Sequence, residues 1–310
     1  MWFFVICMGS IVLINVSGAV YQGSVFGIAG ILPKRYTQAI MSGQGMGGIL
    51  PSLLSIVSIA ATNNSDDSGF IYFLCSVACI IVTIGAFLAL PKIKYAAYYL
   101  NKHADMTKAD KSRELESTES FEKVAHHERP PFFEIFWKIK LPAVMVLLVF
   151  AVTLGLFPGT LVSVKALNKT NTSWANDYFS PVACFLVFNT MDFTGRSLAV
   201  IQFPRANHMG VISVLVVLRL IFFPLFAFCN LHVGSHTSPL FFNDDAYFII
   251  FNVLFGLSNG YLGSLLMIYG PKFVDVKYSE TAGVMMSLFL GTGLALGAVV
   301  SVLFLKIFSA

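Results

Sequence analysis

The sequence predicts an all-α protein that crosses a membrane several times, on three observations. Hydrophobic residues fill 56% of the 310 positions and charged ones only 12%, with 30 Phe, a balance foreign to a soluble domain of this size. The apolar residues gather into stretches of about twenty or more, enough to cross roughly 30 Å of hydrocarbon as helices. Runs such as FLVF and LIFFPLFAF do not alternate, as the strands of a membrane β-barrel must.

Eight spans follow along the chain: Phe3–Leu32, Ile40–Ala61, Phe70–Leu90, Leu141–Val164, Pro181–Ile201, Val211–Leu231, Ala246–Tyr269 and Gly283–Phe308. Charge orients them. Two Lys or Arg lie in 33–39, ten in 91–140, one in 202–210 and two in 270–280, whereas the alternate loops 62–69, 165–180 and 232–245 hold only Lys165 and Lys169. The excess of basic residues marks the cytoplasmic side, which places both termini outside and the loop 91–140 inside. The sequons at Asn63, Asn168 and Asn171 all fall on the outer side, where glycosylation occurs. The net charge of +4 is thereby explained by topology and is no nucleic-acid signal. The first span follows Met1 without a charged leader or a cleavage site, so it reads as a chain starting partway through something larger rather than as a signal peptide.

The one long hydrophilic segment, 91–140, divides three spans from five. Its centre, MTKADKSRELESTESFEK, is a mixed-charge linker. Ser117, Thr118 and Ser120 stand beside Glu114, Glu116 and Glu119, a setting that would suit an acid-directed kinase. FFEIFWKIK, just before the fourth span, has the aromatic and basic residues of a membrane interface. Small residues recur at helical spacing (Gly23, Gly27 and Gly30; Gly43 and Gly47; Gly283, Ser287 and Gly291, then Gly293 and Gly297), which lets helices approach closely in lipid, and Pro51, Pro158 and Pro224 offer kinks. All five cysteines lie within spans and are expected to be core residues.

The residues that carry chemistry are the polar ones at membrane depth. Asn15, Gly18 and Gln22 share one face of the first span, and Ser42 and Gln44 lie in the second. Phe185, Asn189, Asp192 and Arg196 share one face of the fifth, Arg219 is a lone cation in the sixth, and Ser258 and Asn259 lie in the seventh. An Asp or Arg near the centre of a span costs roughly 2.5 to 3.5 kcal/mol to insert. The i,i+4 spacing of Asp192 and Arg196 lets them pair and recover part of that cost. Apolar residues would fix helix packing without any such cost, so the pair is expected to face an aqueous cavity and bind a solute. A carboxylate that accepts and a guanidinium that donates, jointly neutral, suit an uncharged ligand rich in hydroxyl groups. Phe185 offers a flat face and Gln22 an amide for a heterocycle edge. Arg219 is expected to pair with Asp192 or with backbone carbonyls rather than with solute.

No span contains histidine, and no P-loop is present, which excludes a serine–histidine enzyme at membrane depth and an ATP-driven pump. No enzyme activity, cofactor or metal is expected. Two alternatives stay open beside facilitated transport: a proton-coupled carrier using Asp192, and a membrane protein that binds without transporting.

The stretches GSVFGIAGILPKRY, IMSGQGMGG, GLFPG, FNTMDFTGRS, LSNGYLGSLLMIYGPK and ETAGVMMSLFLGTGLALGA, in this order over nearly the whole chain, resemble the equilibrative nucleoside transporters. The resemblance implies a bundle related to the major facilitator superfamily, facilitative transport of purine and pyrimidine nucleosides, with nucleobases as a further candidate cargo, and alternating access in a lipid bilayer, with the plasma membrane as the expected location. It also implies that the eight spans correspond to the last eight of the family's eleven. Residues 1–90 would then be three helices of the N-terminal bundle, and 141–310 five helices of the C-terminal bundle. Residue by residue, Gln22 resembles the base-facing glutamine, Asp192 and Arg196 the ribose-facing pair, and Phe185 and Asn189 their neighbours. Leu294 resembles a cavity residue of the last span. Gly18 and Gly43 match positions tied to transport and inhibitor sensitivity, and Phe157 and Pro158 a segment near the inhibitor region.

Overall fold

The computed structural model describes residues 2–31, 34–61, 65–89, 92, 132–167, 173–233, 236–237 and 241–309. The candidate glycosylation sites Asn63, Asn168 and Asn171, the candidate phosphorylation sites Ser117, Thr118 and Ser120, and most of 91–140 lie outside them. The described chain is eight helical rods: α1 (Trp2–Ile31), α2 (Lys34–Ala61), α3 (Ser65–Ala89), α4 (Phe132–Leu156), α5 (174–201), α6 (Ala206–Ala227), α7 (Asp245–Tyr269) and α8 (Ser279–Ser309). Six are long and apolar enough to cross a membrane; α3 adds a shorter apolar stretch, Phe73–Ala89, and α5 is the rod that holds Asp192 and Arg196. This is an all-α polytopic membrane protein. Strand pairing among the described residues is limited to a two-residue ladder, His232–Val233 against His236–Thr237, and an isolated bridge between Val164 and Leu231.

Several helix ends depart from the sequence expectation, and those of α2 and α4 have a clear local reason. α2 begins at Lys34 rather than Ile40, because Thr37 donates to the Ala29 carbonyl at 3.2 Å and Gln38 is buried against α5. Those contacts draw the basic segment into the helix. α4 runs from Phe132 to Leu156, some nine residues displaced from the expected start, since FFEIFWKIK is helical, with Ile135 and Ile139 buried and Lys138 3.6 Å from Glu134. It stops before Phe157 and Pro158, where the proline lacks an N–H and disfavours helix in its predecessor.

Proline also shapes α5 and α6. Around Pro181 the backbone of α5 winds wide, as π turns over Trp174–Tyr178 and Ser180–Leu186, before the regular helix Val187–Leu198. A proline in a helix interior removes one i→i−4 bond, and the π turn absorbs the loss. α6 tightens to a 3₁₀ turn at Arg219–Ile221, just before Pro224. α7 is capped by Asp244, whose side chain accepts from the Ala246 N–H at 2.9 Å.

α4 packs most extensively on α8, and α5 on α7; α1 lies on α8, and α2 on α5. The apolar core has two parts. One joins α4, α7 and α8 through Ile139, Val146, Leu265 and Met286; the other is aromatic and gathers Phe179, Phe188, Phe226, Phe248 and Phe255. Asn259 of α7 lies between them in chain order, and Thr153 of α4 lies beside Val152, at the edge of the second.

Candidate functional site

The crossing of α5 and α7 sets the site. A Cβ on Gly195 would overlap the Leu257 carbonyl, one on Gly260 would overlap the Asp192 carbonyl, and one on Gly256 would come within 2.7 Å of the Phe188 carbonyl. Only hydrogen fits at these positions. The two backbones therefore meet closely enough for a short side chain on α7 to reach Asp192 directly.

Asp192 and Arg196 pair as their spacing predicts, with Arg196 Nε donating to Asp192 Oδ2 at 2.7 Å. The pair is not open to water: the two residues are 5% and 7% exposed. The expected wet cavity is replaced here by partners on other helices, which satisfy the charges without solvent. Asn259 Nδ2 donates to Asp192 Oδ1 at 2.7 Å, and Arg196 Nη1 reaches across to α2, to Gln44 Oε1 at 3.3 Å and the Met41 carbonyl at 3.4 Å. Gln38 Nε2 donates to the Arg196 carbonyl. Arg219 is 2% exposed, and its partners are neither Asp192 nor backbone carbonyls, the two expected. Its Nη2 donates to Thr153 Oγ1 at 2.7 Å and its Nη1 to Ser258 Oγ at 3.2 Å, with the guanidinium 4.9 Å from the Phe255 ring centre. Thr153 Oγ1 in turn lies 2.6 Å from Asn259 Oδ1. Arg219 thus connects to Asp192 through two neutral side chains.

The cavity lies one turn further along α5. It holds about 390 Å³ and is lined by Gly48, Pro51, Ser52 and Ser55 of α2, by Phe157, and by Pro181, Phe185 and Asn189 of α5. Asn189 Nδ2 donates to Ser52 Oγ at 2.9 Å, on the wall between the cavity and the buried pair. Phe157 stacks on Phe188 with centroids 3.9 Å apart and meets Phe185 edge-on at 5.5 Å. One side of the cavity is thus aromatic and the other offers amide and hydroxyl groups, the mixed lining of small-molecule sites.

Of the residues singled out from sequence, the structure brings together Phe157, Phe185, Asn189, Asp192 and Arg196, with Pro158 following Phe157. The others lie apart. Among the described residues no hydrogen bond joins Gln22 to the pair; it is half-buried on α1, next to Gly23, whose Cβ would face Ser287 of α8 at 3.8 Å. Leu294 packs against the apolar core. A Cβ on Gly18 or on Gly43 would meet nothing within 4 Å. Sequence reasoning did not assign Thr153, Ser52 or Gln38, and it gave Gln44 and Asn259 no partner. One signal was available: Asn259 sits within Gly256-x-x-x-Gly260, a spacing that brings a neighbouring helix close.

The profile of the family described as nucleoside transporter matches residues 8–306. The chain belongs to that family. It is 42% identical to equilibrative nucleoside transporter 1 of Homo sapiens and 41% identical to that of Mus musculus, in each case over 97% of this chain and 69% of the relative. To equilibrative nucleoside transporter 2 of Homo sapiens it is 36% identical, over 97% of this chain and 72% of the relative. In this member of the nucleoside transporter family, the cavity and the buried pair occupy one continuous face of α5, from Phe185 to Arg196.

Proposed function

We propose that this chain moves nucleosides across a membrane down their own gradient, by alternating access, and takes no part in enzyme chemistry. The observation that carries the reading is the cavity of about 390 Å³ between α2 and α5, walled by Phe157, Phe185, Asn189 and Ser52. Its size falls within the ~300–1,000 Å³ of small-molecule sites. The aromatic side suits a base, Asn189 and Ser52 suit ribose hydroxyls, and the Asp192–Arg196 pair, buried behind them in this state, meets the solute when α2 withdraws. The named relatives support the substrate class, nucleosides.

The basic loops support a plasma-membrane orientation with 91–140 in the cytoplasm and both termini outside. In that frame the cavity lies toward the outer side, near Ser52 and Pro181, and Arg196 closes on Met41 and Gln44 toward the cytoplasm. The moving halves are 1–90 and 141–310, meeting at α2 against α5 and at α1 against α8. Gln22 joins the substrate face when α1 and α5 approach in another state of the cycle.

Uptake of labelled uridine and adenosine into vesicles tests the reading. Wild type is expected to equilibrate both, and Asp192→Ala to lose about tenfold or more of the uptake efficiency, since it strands a buried guanidinium. Uptake by that variant at the wild-type rate would remove Asp192 from the site.

A further inference from the structure

The relay behind the site has a direction. Arg219 can only donate hydrogen bonds, and Asp192, as a carboxylate, can only accept them. Between the two stand Thr153 and Asn259, each able to do both. At 2.7 Å from Arg219 Nη2, the Thr153 hydroxyl oxygen accepts, which leaves its one proton for Asn259 Oδ1 at 2.6 Å or for the Val149 carbonyl at 2.7 Å. With the amide oxygen of Asn259 turned to Thr153, its Nδ2 donates to Asp192 Oδ1 at 2.7 Å. The chain is set from its two ends: the carboxylate of Asp192 fixes which way the Asn259 amide points, and Arg219 makes the Thr153 oxygen an acceptor, so that the Thr153 proton is available to Asn259 Oδ1. Reversing Asn259 would put its oxygen against a carboxylate oxygen.

We propose that Arg219, remote from the solute cavity, is a positioning residue for substrate selectivity: through Thr153 and Asn259 it fixes the carboxylate of Asp192 for recognition of ribose hydroxyls. The inference rests on the nucleoside reading above and deepens it. Asp192 Oδ2 is held by Arg196 and Oδ1 by Asn259, so the plane of the carboxylate is set from both sides. A glutamine at 219 can accept as well as donate, which frees Thr153 to point back toward it and leaves Asn259 Oδ1 without its donor, so the amide that holds Asp192 Oδ1 is anchored at one end only. A lysine keeps the donor-only rule. The same logic separates Thr153→Ser, which keeps the hydroxyl, from Thr153→Val, which keeps the shape and removes it.

The test is the ratio of uptake efficiencies for uridine and dideoxyuridine, taken on the same vesicles so that protein abundance cancels. A site built on hydroxyl contacts discriminates strongly against the analogue that lacks them. Arg219→Gln and Thr153→Val are expected to lower the ratio about tenfold, the scale of one misdirected buried hydrogen bond, while Arg219→Lys and Thr153→Ser stay near wild type. Asp192→Asn is the control for the underlying reading. A wild-type ratio in Asp192→Asn would overturn the ribose role of Asp192 itself. A collapsed ratio there, with wild-type ratios in Arg219→Gln and Thr153→Val, would overturn the relay alone. Should a variant give no flux, displacement of bound labelled uridine by each compound in the same membranes reads the same ratio at equilibrium.

Discussion

Asp192 shows how a charge is kept at membrane depth: each of its oxygens accepts a bond of 2.7 Å, one from the same helix and one from another. The first partner was legible, because i,i+4 spacing puts Arg196 beside it on any helix. The second was not, because Asn259 is 67 residues away and nothing in local sequence says which helix it faces. The same holds for Gln44, for Thr153, and for Arg219, expected to pair with Asp192 or with backbone carbonyls and found bonded to the hydroxyls of Thr153 and Ser258. At this scale the aromatic wall makes a clear prediction. Phe188 is 4% exposed and stacked on Phe157, so Phe188→Ala is expected to cost about 3–5 kcal/mol of stability, seen as a lower unfolding temperature in detergent. Asn189→Ala removes a cavity wall group without emptying the core; the protein should remain as stable as wild type while the Michaelis constant for uridine rises several-fold.

At the scale of elements, the positions of all eight helices could be read from hydropathy, and their ends could not. The start of α2 depends on Thr37 and Gln38 finding partners on α1 and α5, and the end of α4 on a single proline; both are tertiary or backbone effects that a hydropathy count does not see. Glycine spacing was readable as close packing in general, but not which glycines press hardest. The structure separates them. Gly260→Ala must push α7 away from the Asp192 carbonyl, so little properly folded protein is expected on size-exclusion chromatography. Gly43→Ala, with open space around its Cβ, should fold like wild type. If uptake nevertheless falls in Gly43→Ala, α2 must meet another surface during the cycle, which an inhibited but well-folded variant would reveal.

At the scale of the whole molecule, the proposed cycle predicts unequal access along α2. In a background without the five native cysteines, Ser55→Cys on the cavity wall is expected to react with an impermeant thiol reagent added outside, and to be protected by uridine. Gln38→Cys, 7% exposed and bound against α5, should not react from that side. Equal labelling of the two would contradict the assigned orientation. The glycine seam has a further consequence. Because α5 and α7 touch backbone to backbone, they travel as one piece, and both charged residues of the pair ride on it. Opposite them, α2 presents only uncharged groups at membrane depth: Gln38, Ser42, Gln44 and Ser52. A door of that kind can swing without dragging any charge through the electric field of the bilayer, so the rate of passage for an uncharged solute should be indifferent to voltage.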